Sequence, residues 1–455
     1  MEMQNNSMEY QNSIKNIYSA LAEDSIDQFR SEFLELHPYD QTSIFKELSE
    51  DARTQIYTYL SPEEMAEIIE NFDLVEVGII MTEMNPTYAA HVFDELPTDD
   101  AVDIMNKLDH EQIASYLTLM DKDEAKEIKD LLHYEEKTAG SIMTTEYVVV
   151  NQKMTIREAM NHLRHKAPDA ETIYYVFVID DLRRLVGVIS LRDLIVSEEE
   201  WVVSDIMSEH VVYASVGDDQ ELIAKLMRDY DFLALPVVDF KNRLLGIITV
   251  DDILDVMDEE ASDDYSKLAG VSDMDRNNLS AIDAVKKRLP WLIILLFLGM
   301  ITASLIGQFE STLEQVAILA VFIPLIAGMA GNTGTQALAV TVRSIATGDA
   351  LSEGFLKRLK RELFTGFITG LICGATIVLI ILVWKQDIFL GLVVGFSIMI
   401  SLIIATIAGA FLPLLMHKLN IDPAVASGPF ITTINDIISI IIYFGTATMF
   451  MEYLT

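Results

Sequence analysis

Five apolar stretches, residues 291–308, 316–342, 363–384, 388–416 and 425–450, follow one another through the C-terminal third of the chain. Each is long enough to cross a hydrocarbon core about 30 Å thick as a helix. Such a core offers backbone amides no water, so a spanning segment must satisfy its own hydrogen bonds, and a long continuous apolar run does so by coiling into a helix. This feature commits the C-terminal part to a helical bundle in a bilayer and leaves residues 1–288 to fold in water.

The charge divides at the same place. The chain carries a net charge of −38, whereas residues 289–455 hold seven Lys/Arg and nine Asp/Glu, so nearly all of the excess lies in the soluble part. An acidic surface of this kind does not attract phosphate backbones or anionic lipid, because that attraction needs clustered Lys and Arg. Nucleic acid is therefore excluded as a partner, and cations are expected instead. One cysteine, Cys373, lies inside an apolar stretch, which rules out an intrachain disulfide and a Cys-rich metal site. The first residues (MEMQNNSMEYQNS) have neither the basic region nor the apolar core of a signal peptide, so the N-terminal part is expected to stay in the cytoplasm.

Residues 1–133 read as an acidic domain of short helices packed as a small superhelix. Apolar residues recur at three- and four-residue spacing in MAEIIENF and AVDIMNKLD. Ser49-Glu50-Asp51, Ser61-Pro62-Glu63-Glu64 and Pro97-Thr98-Asp99-Asp100 resemble helix starts, where caps and acids satisfy free amides and the positive end of the dipole. Asp99, Asp100 and Asp103 are explained by that capping role unless another acidic surface faces them.

From Thr138 to Asp258 the sequence repeats with an offset of 59: Asp180 and Asp239, Gly187 and Gly246, Ser190 and Thr249 correspond. Each unit predicts strand, turn, strand and helix, with a Ser/Thr cap starting the helix. Ser141-Ile-Met-Thr and Asp205-Ile-Met-Ser open the two units, taken as residues 134–198 and 199–258. The pattern resembles a tandem pair of CBS domains, in which the Ser/Thr-x-x-Asp turn holds an adenosine ribose, although a capping box explains the turn equally well. Tyr175, Arg192, Asp193, Phe232 and Pro236 are the candidate nucleotide residues, and ATP or another adenine nucleotide the candidate cofactor.

Residues 259–289 form an acidic connector that ends in Lys286-Lys287-Arg288 before Pro290, which is expected in the first turn of the next helix. Basic residues mark the cytoplasmic side. Arg343, Lys357, Arg358, Lys360 and Arg361 fall between stretches two and three, and His417 and Lys418 between four and five. Five crossings then place the N-terminus inside and the C-terminus outside a multi-pass plasma-membrane protein, with Lys385 the lone misfit.

One carboxylate, Asp436, stands in the last apolar stretch. An acid near the bilayer centre costs roughly 2.5–3.5 kcal/mol on insertion scales, so such residues face a bundle interior or a watery path. The second stretch carries Pro324, Gly328, Gly331, Asn332, Gly334 and Gln336. The glycines suit close helix packing. The amides are less easily explained that way, and together with the proline they are expected to open the helix toward a hydrated ion. Oxygen ligands without Cys or His suit a hard cation such as Mg²⁺ or Ca²⁺.

An acidic helical domain, two CBS units, an acidic connector, five crossings and the phrases Pro324–Gln336 and Asp422–Asp436 together resemble the MgtE family of magnesium channels or transporters. The resemblance implies a homodimer with a pore between subunits and Mg²⁺ as both transported and regulatory ion. It implies Asp436, Asn332 and Gly328 along the path. It further implies a cytoplasmic Mg²⁺ sensor at Asp99, Asp103, Asp219, Glu221, Asp231, Asp252, Glu260, Asp263 and Asp264, whose acids repel when the cation is scarce and are bridged when it is abundant. Ser439, Ala330 and Gly428 depart from the family pattern and bear on selectivity among Mg²⁺, Co²⁺, Mn²⁺ and Ca²⁺. No Walker phrase is present, and no enzymatic activity is expected. The competing readings are a transporter for another divalent cation, a CBS-containing anion channel, and a membrane-anchored nucleotide sensor.

Overall fold

A computed structural model describes residues 13–72, 74–271, 281–347, 354–419, 421–423 and 426–454. It forms two compact units, one up to Met257 and one from Asp258 onward.

The first unit opens with short helices. Ser49 accepts a hydrogen bond from the Ala52 amide, and Ser61 and Glu64 form a reciprocal capping box, as their spacing predicts. The third expected start differs: Pro97 precedes the helix Thr98–Met105 without a side-chain cap. Thr98 is instead buried, and its hydroxyl meets Thr145 at 2.9 Å and accepts from the Thr145 amide at 3.1 Å. It pins the helical region to the chain that follows. Between successive hairpins, Arg30 pairs with Glu64 and Arg53 with Glu83, each at 2.5 Å.

The repeat forms two three-stranded sheets. Strands β1 (Tyr147–Asn151), β2 (Thr172–Ile179) and β3 (Leu185–Ser190) make one; β4 (Ala214–Ser215), β5 (Ala234–Val238) and β6 (Leu244–Thr249) make the other. In each, the first pair is parallel and the second antiparallel. The 59-residue offset has a structural basis at the hairpin turns. Asp180 accepts from the backbone and side chain of Arg184, and Asp239 does the same with Arg243. Arg183 and Asn242 occupy the equivalent left-handed positions, φ 61° in both. The phrases that open the units cross over: Met143 packs on Gly246 of the second sheet, and Met207 on Gly187 of the first. Thr144 bridges to Ile247, and Ser208 to Val188, so each opening segment extends the other repeat's sheet.

In the second unit, five helices are long and apolar enough to cross a membrane: Ala281–Gln308, Ala317–Ala346 with a 3₁₀ start over Ala317–Phe322, Phe355–Lys385, Ile388–Lys418 and Gly428–Met449. They are called the first to fifth membrane helices. Pro290 lies inside the first helix rather than in its first turn, because the basic stretch before it is already helical. Val425, at which the fifth stretch begins in the sequence, Ala424 just before it, and residues 272–280 of the connector lie outside the described residues.

Helix contacts rest on small residues. Gly366, Gly370 and Gly374 of the third helix meet backbone of the fourth at Ile403, Met399 and Gly395, so a side chain at any of them would separate the two. Arg358 is not a loop charge. It is 1% exposed and donates to the Ser344 hydroxyl and the Val340 carbonyl, holding the C-terminal end of the second helix where a positive charge suits the dipole.

Candidate functional site

The membrane site is built where the second and fifth helices cross. Gly331 lies against Thr432, and Gly334 against Asn435 and Ile431. From the other side, Gly409 of the fourth helix comes within 3.1 Å of the Gly334 carbonyl carbon, measured from where its Cβ would stand. The packing role read for Gly331 and Gly334 is therefore what the structure contains. The helix is not opened: Ile323–Ala346 is continuous through Pro324 and the glycines, since the proline sits in its first turn, where no amide donor is needed.

Gly328, Asn332 and Gln336 recur every four residues and form an exposed face of the second helix, with nothing within 4 Å of the Gly328 Cβ position. Across the crossing, Asp436 follows the contact residue Asn435, as Asn332 follows Gly331. Asp436 is half-buried, and its Oδ1 has no hydrogen-bond partner among the described residues. Asn435 is 2% exposed, and both its amide oxygen and nitrogen are likewise unpartnered. Three polar atoms thus stand unsatisfied at one level of an apolar helix, an arrangement that costs free energy unless a ligand completes it. Ser439 is buried and donates to the Asp436 carbonyl at 3.0 Å, so this departure from the family pattern serves the helix itself.

The cytoplasmic acids fall into separate groups. In the first unit, Asp99 is 9% exposed with an unpartnered Oδ1. Burial, and then the nearby charges of Asp252 and Asp100, push it well above the usual carboxylate range. Asp100 rises to about 8 through burial and Asp252, with Asp103 contributing. Asp252, bonded to the Thr249 hydroxyl at the start of the connector helix Val250–Ala269, is raised by burial and by Asp251. Glu146 rises to about 7 for the same kinds of reason. Asp99, Asp100, Asp103 and Asp252 are thus brought into one electrostatic neighbourhood, the facing acids that the capping role alone does not explain, and Glu146 borders it through Glu171, whose charge acts on Asp99, Asp100 and Glu146 alike. The signal for Asp100 was in the sequence, one residue from Asp99; Glu146 carried none.

Asp219 and Glu221 start the helix Gln220–Tyr230, where Asp219 accepts from the Glu221 amide, whereas Asp231 ends it in a left-handed conformation. Eleven residues at 1.5 Å each separate the two ends by about 16 Å. One chain therefore does not bring Asp231 together with the other two. In the second unit, Lys267 bonds Asp263 at 2.8 Å and Asp422 at 2.5 Å. Asp264 rises to about 6 through burial and the charge of Asp422, with Glu260 adding to it. Among the described residues no three Asp, Glu, His or Cys side chains converge closely enough to hold a metal ion. What exists is acids held near one another, with Lys267 supplying positive charge at one group.

Of the nucleotide candidates, Tyr175, Phe232 and Pro236 line a small cavity of about 80 Å³ with Phe177 and His210. Arg192 and Asp193 are exposed and lie outside its lining. The Ser190 hydroxyl accepts from the Asp193 amide and bonds its carboxylate at 2.6 Å, the geometry of a cap.

These features align with a family. Residues 323–446 match the family model MgtE, a divalent cation transporter; residues 36–137 match the MgtE intracellular N domain; residues 139–199 and 203–259 each match a CBS domain. The magnesium transporter MgtE of Enterococcus faecalis is 49% identical over 442 residues, covering 96% of this chain and 97% of that one. The chain belongs to the MgtE family. The Bacillus subtilis member is 40% identical over 98% of this chain and 99% of its own length. Parts of similar proteins have also been solved. The soluble part of a magnesium transporter superposes with a TM-score of 0.54 at 48% identity, covering 55% of this chain and 99% of that one. The cytosolic domain of the Mg²⁺ channel MgtE in complex with ATP gives 0.51 at 39% identity, covering 53% and 99%.

Proposed function

We propose that this MgtE chain conducts Mg²⁺ across the plasma membrane into the cytoplasm, down the ion's electrochemical gradient. The observation that carries the reading is Asp436: a carboxylate with an unsatisfied oxygen, beside an unsatisfied Asn435, on a helix otherwise apolar enough to span. Mg²⁺ gives up its water reluctantly and is held through its hydration shell by one or two carboxylates. A homodimer in which the exposed Gly328, Asn332 and Gln336 face is shared between subunits would supply two such carboxylates and a polar path. An inside-negative potential drives a divalent ion inward by about 4.6 kcal/mol for each 100 mV, so no nucleotide hydrolysis is required. The basic flanks support an N-terminus inside and a C-terminus outside.

Closure follows from the cytoplasmic acids. Asp99, Asp103 and Asp252 in one neighbourhood, and Asp263 and Asp264 with Asp422 in another, are sites where cytoplasmic Mg²⁺ would replace repulsion by bridging. The buried, unpartnered Asp99 Oδ1 fits such an ion. Binding there favours the compact arrangement in proportion to the difference in ion affinity between the two states. Asp219, Glu221, Asp231 and Glu260 are assigned to the same sensor as further cation contacts. An adenine nucleotide in the cleft of Tyr175, Phe232 and Pro236 would bias the same equilibrium, as the ATP complex of a relative supports.

The test is uptake into vesicles containing the full chain, with internal Mg²⁺, ATP and external Co²⁺, Mn²⁺ or Ca²⁺ varied separately. Mg²⁺ uptake that falls as internal Mg²⁺ rises supports the reading. Uptake of another cation without Mg²⁺ transport replaces the substrate, and the absence of all flux removes the function.

A further inference from the structure

Outside the sites above, the first unit contains a larger cavity, about 410 Å³, between the helix Lys122–Leu131 and the hairpin turns of the repeat. Three cationic side chains line it, Lys126, Arg183 and Arg243, in a soluble region that is otherwise strongly acidic. Their situations differ. Arg243 is committed to Asp239 at 2.7 Å. Glu127 and Asp130 also line the cavity, yet neither Lys126 nor Arg183 has a carboxylate within 4.0 Å among the described residues. Glu127 instead accepts from the Thr145 hydroxyl at 2.9 Å.

The repeat supplies an internal control for Arg183. In the second sheet the equivalent left-handed position is Asn242, a residue that tolerates positive φ far better than arginine. The turn does not use the Arg183 guanidinium for its Asp180 pairing, because Arg184 makes that bond just as Arg243 makes it for Asp239. Arg183 lines the cavity together with Tyr147, whose hydroxyl is fixed by donating to the Leu245 carbonyl at 3.3 Å. An arginine at a position that favours asparagine, lining a cavity while its neighbour Arg184 makes the turn's ion pair, is explained by something the cavity receives.

We infer that this cavity binds a small organic phosphate, its anionic group between Lys126 and Arg183 and its apolar body against Tyr134, Leu131 and Leu245. Arginine and lysine are suited to such a group, the first by its planar fork and the second as a point charge. The site is separate from the cleft of Tyr175 and Phe232, with which it shares no lining residue. Because Lys126 comes from the helical region and Arg183 from the repeat, an occupant adds to whatever holds those two together.

Phenyl phosphate, titrated calorimetrically into the full chain in lipid nanodiscs at constant ionic strength, tests the site, with phenol as the uncharged control. Saturable binding is expected for phenyl phosphate alone. Arg183→Asn, which copies the residue of the second repeat and so preserves the turn, should weaken it about tenfold, as should Lys126→Gln on an exposed helix face, each removing one charge-assisted bond. Tyr175→Ala should leave it unchanged. The assignment is overturned by no saturable binding, by phenol binding equally well, by an affinity unaltered in both cation variants, or by loss confined to Tyr175→Ala.

Discussion

Lys267 Nζ sits 2.5 Å from Asp422 Oδ2, joining the connector helix to the segment that precedes the fifth membrane helix. The same ammonium reaches Asp263 at 2.8 Å. Burial works against its charge, but the bonds to Asp263 and Asp422 outweigh that and raise its pKa. In the proposed closure the lysine takes at low Mg²⁺ the place that a bridging cation takes at high Mg²⁺, and the two compete for the same carboxylates. Lys267→Gln should raise flux when internal Mg²⁺ is scarce, because Asp263, Asp264 and Asp422 then repel without relief. It should also lower, severalfold, the internal Mg²⁺ needed for half-closure. Vesicle flux against internal Mg²⁺ measures both, and a curve identical to the parent's sets the lysine aside.

The acids around Asp99 make a prediction about pH. Asp100 titrates at about 8 in the folded chain against an ordinary 3.8, and Asp99, Asp252 and Glu146 move in the same direction. A carboxylate raised on folding binds protons preferentially in the folded state, so it imposes no penalty below its unfolded value and the full penalty above its folded one. Stability of the soluble region should therefore fall as pH rises from about 4 to about 8, and Mg²⁺ should restore it most at the upper end. Thermal unfolding across that range, with Mg²⁺ or with Na⁺ of matched ionic strength, decides it. Equal recovery with Na⁺ would mean general screening and no bound ion.

Asp436→Ala should reduce Mg²⁺ uptake to the background of empty vesicles while leaving the chain folded. The substitution removes a charge that costs up to about 3 kcal/mol in the membrane, so thermal stability should hold or rise. Uptake at the parental rate in a folded variant takes Asp436 out of the path.

Much of this was legible in the residues because the signals were local or periodic. The membrane helices announced themselves by apolar length, the two sheets by an offset of 59, and Asp436 by being an acid where none is cheap. What escaped depended on three-dimensional neighbours. Asp422 stood in a quoted phrase, yet only folding sets it beside Lys267 and Asp264. Arg358 looked like a loop charge because the sequence does not show that a helix begins at Phe355 and turns it inward. Asp219 and Asp231 were placed in one sensor by the family resemblance, and within one chain the helix Gln220–Tyr230 stands between them. Pro324 and its glycines suggested a broken helix, whereas Gly331 closes onto Thr432 and Gly334 onto Asn435 and Gly409, and both need the helix intact.

That last distinction separates two glycines of the same helix, Gly328 and Gly334, six residues apart. A methyl group at Gly334 would collide with the Asn435 amide and crowd Ile431 at 3.1 Å, and the fourth helix closes the other side through Gly409. Gly334→Ala should therefore destabilise the bundle by about 1–3 kcal/mol, the range for overpacking, and lose flux as a consequence of misplacing Asn435 and Asp436. At Gly328 a methyl group meets nothing within 4 Å, so Gly328→Ala should unfold at the parental temperature. If the Gly328, Asn332 and Gln336 face borders the ion path, that same variant should still change Mg²⁺ flux. Thermal unfolding and vesicle uptake on both variants give four readings. A Gly328→Ala chain with parental stability and parental flux would place the path elsewhere, and a Gly334→Ala chain with parental stability would remove the packing argument for the crossing on which Asp436 depends.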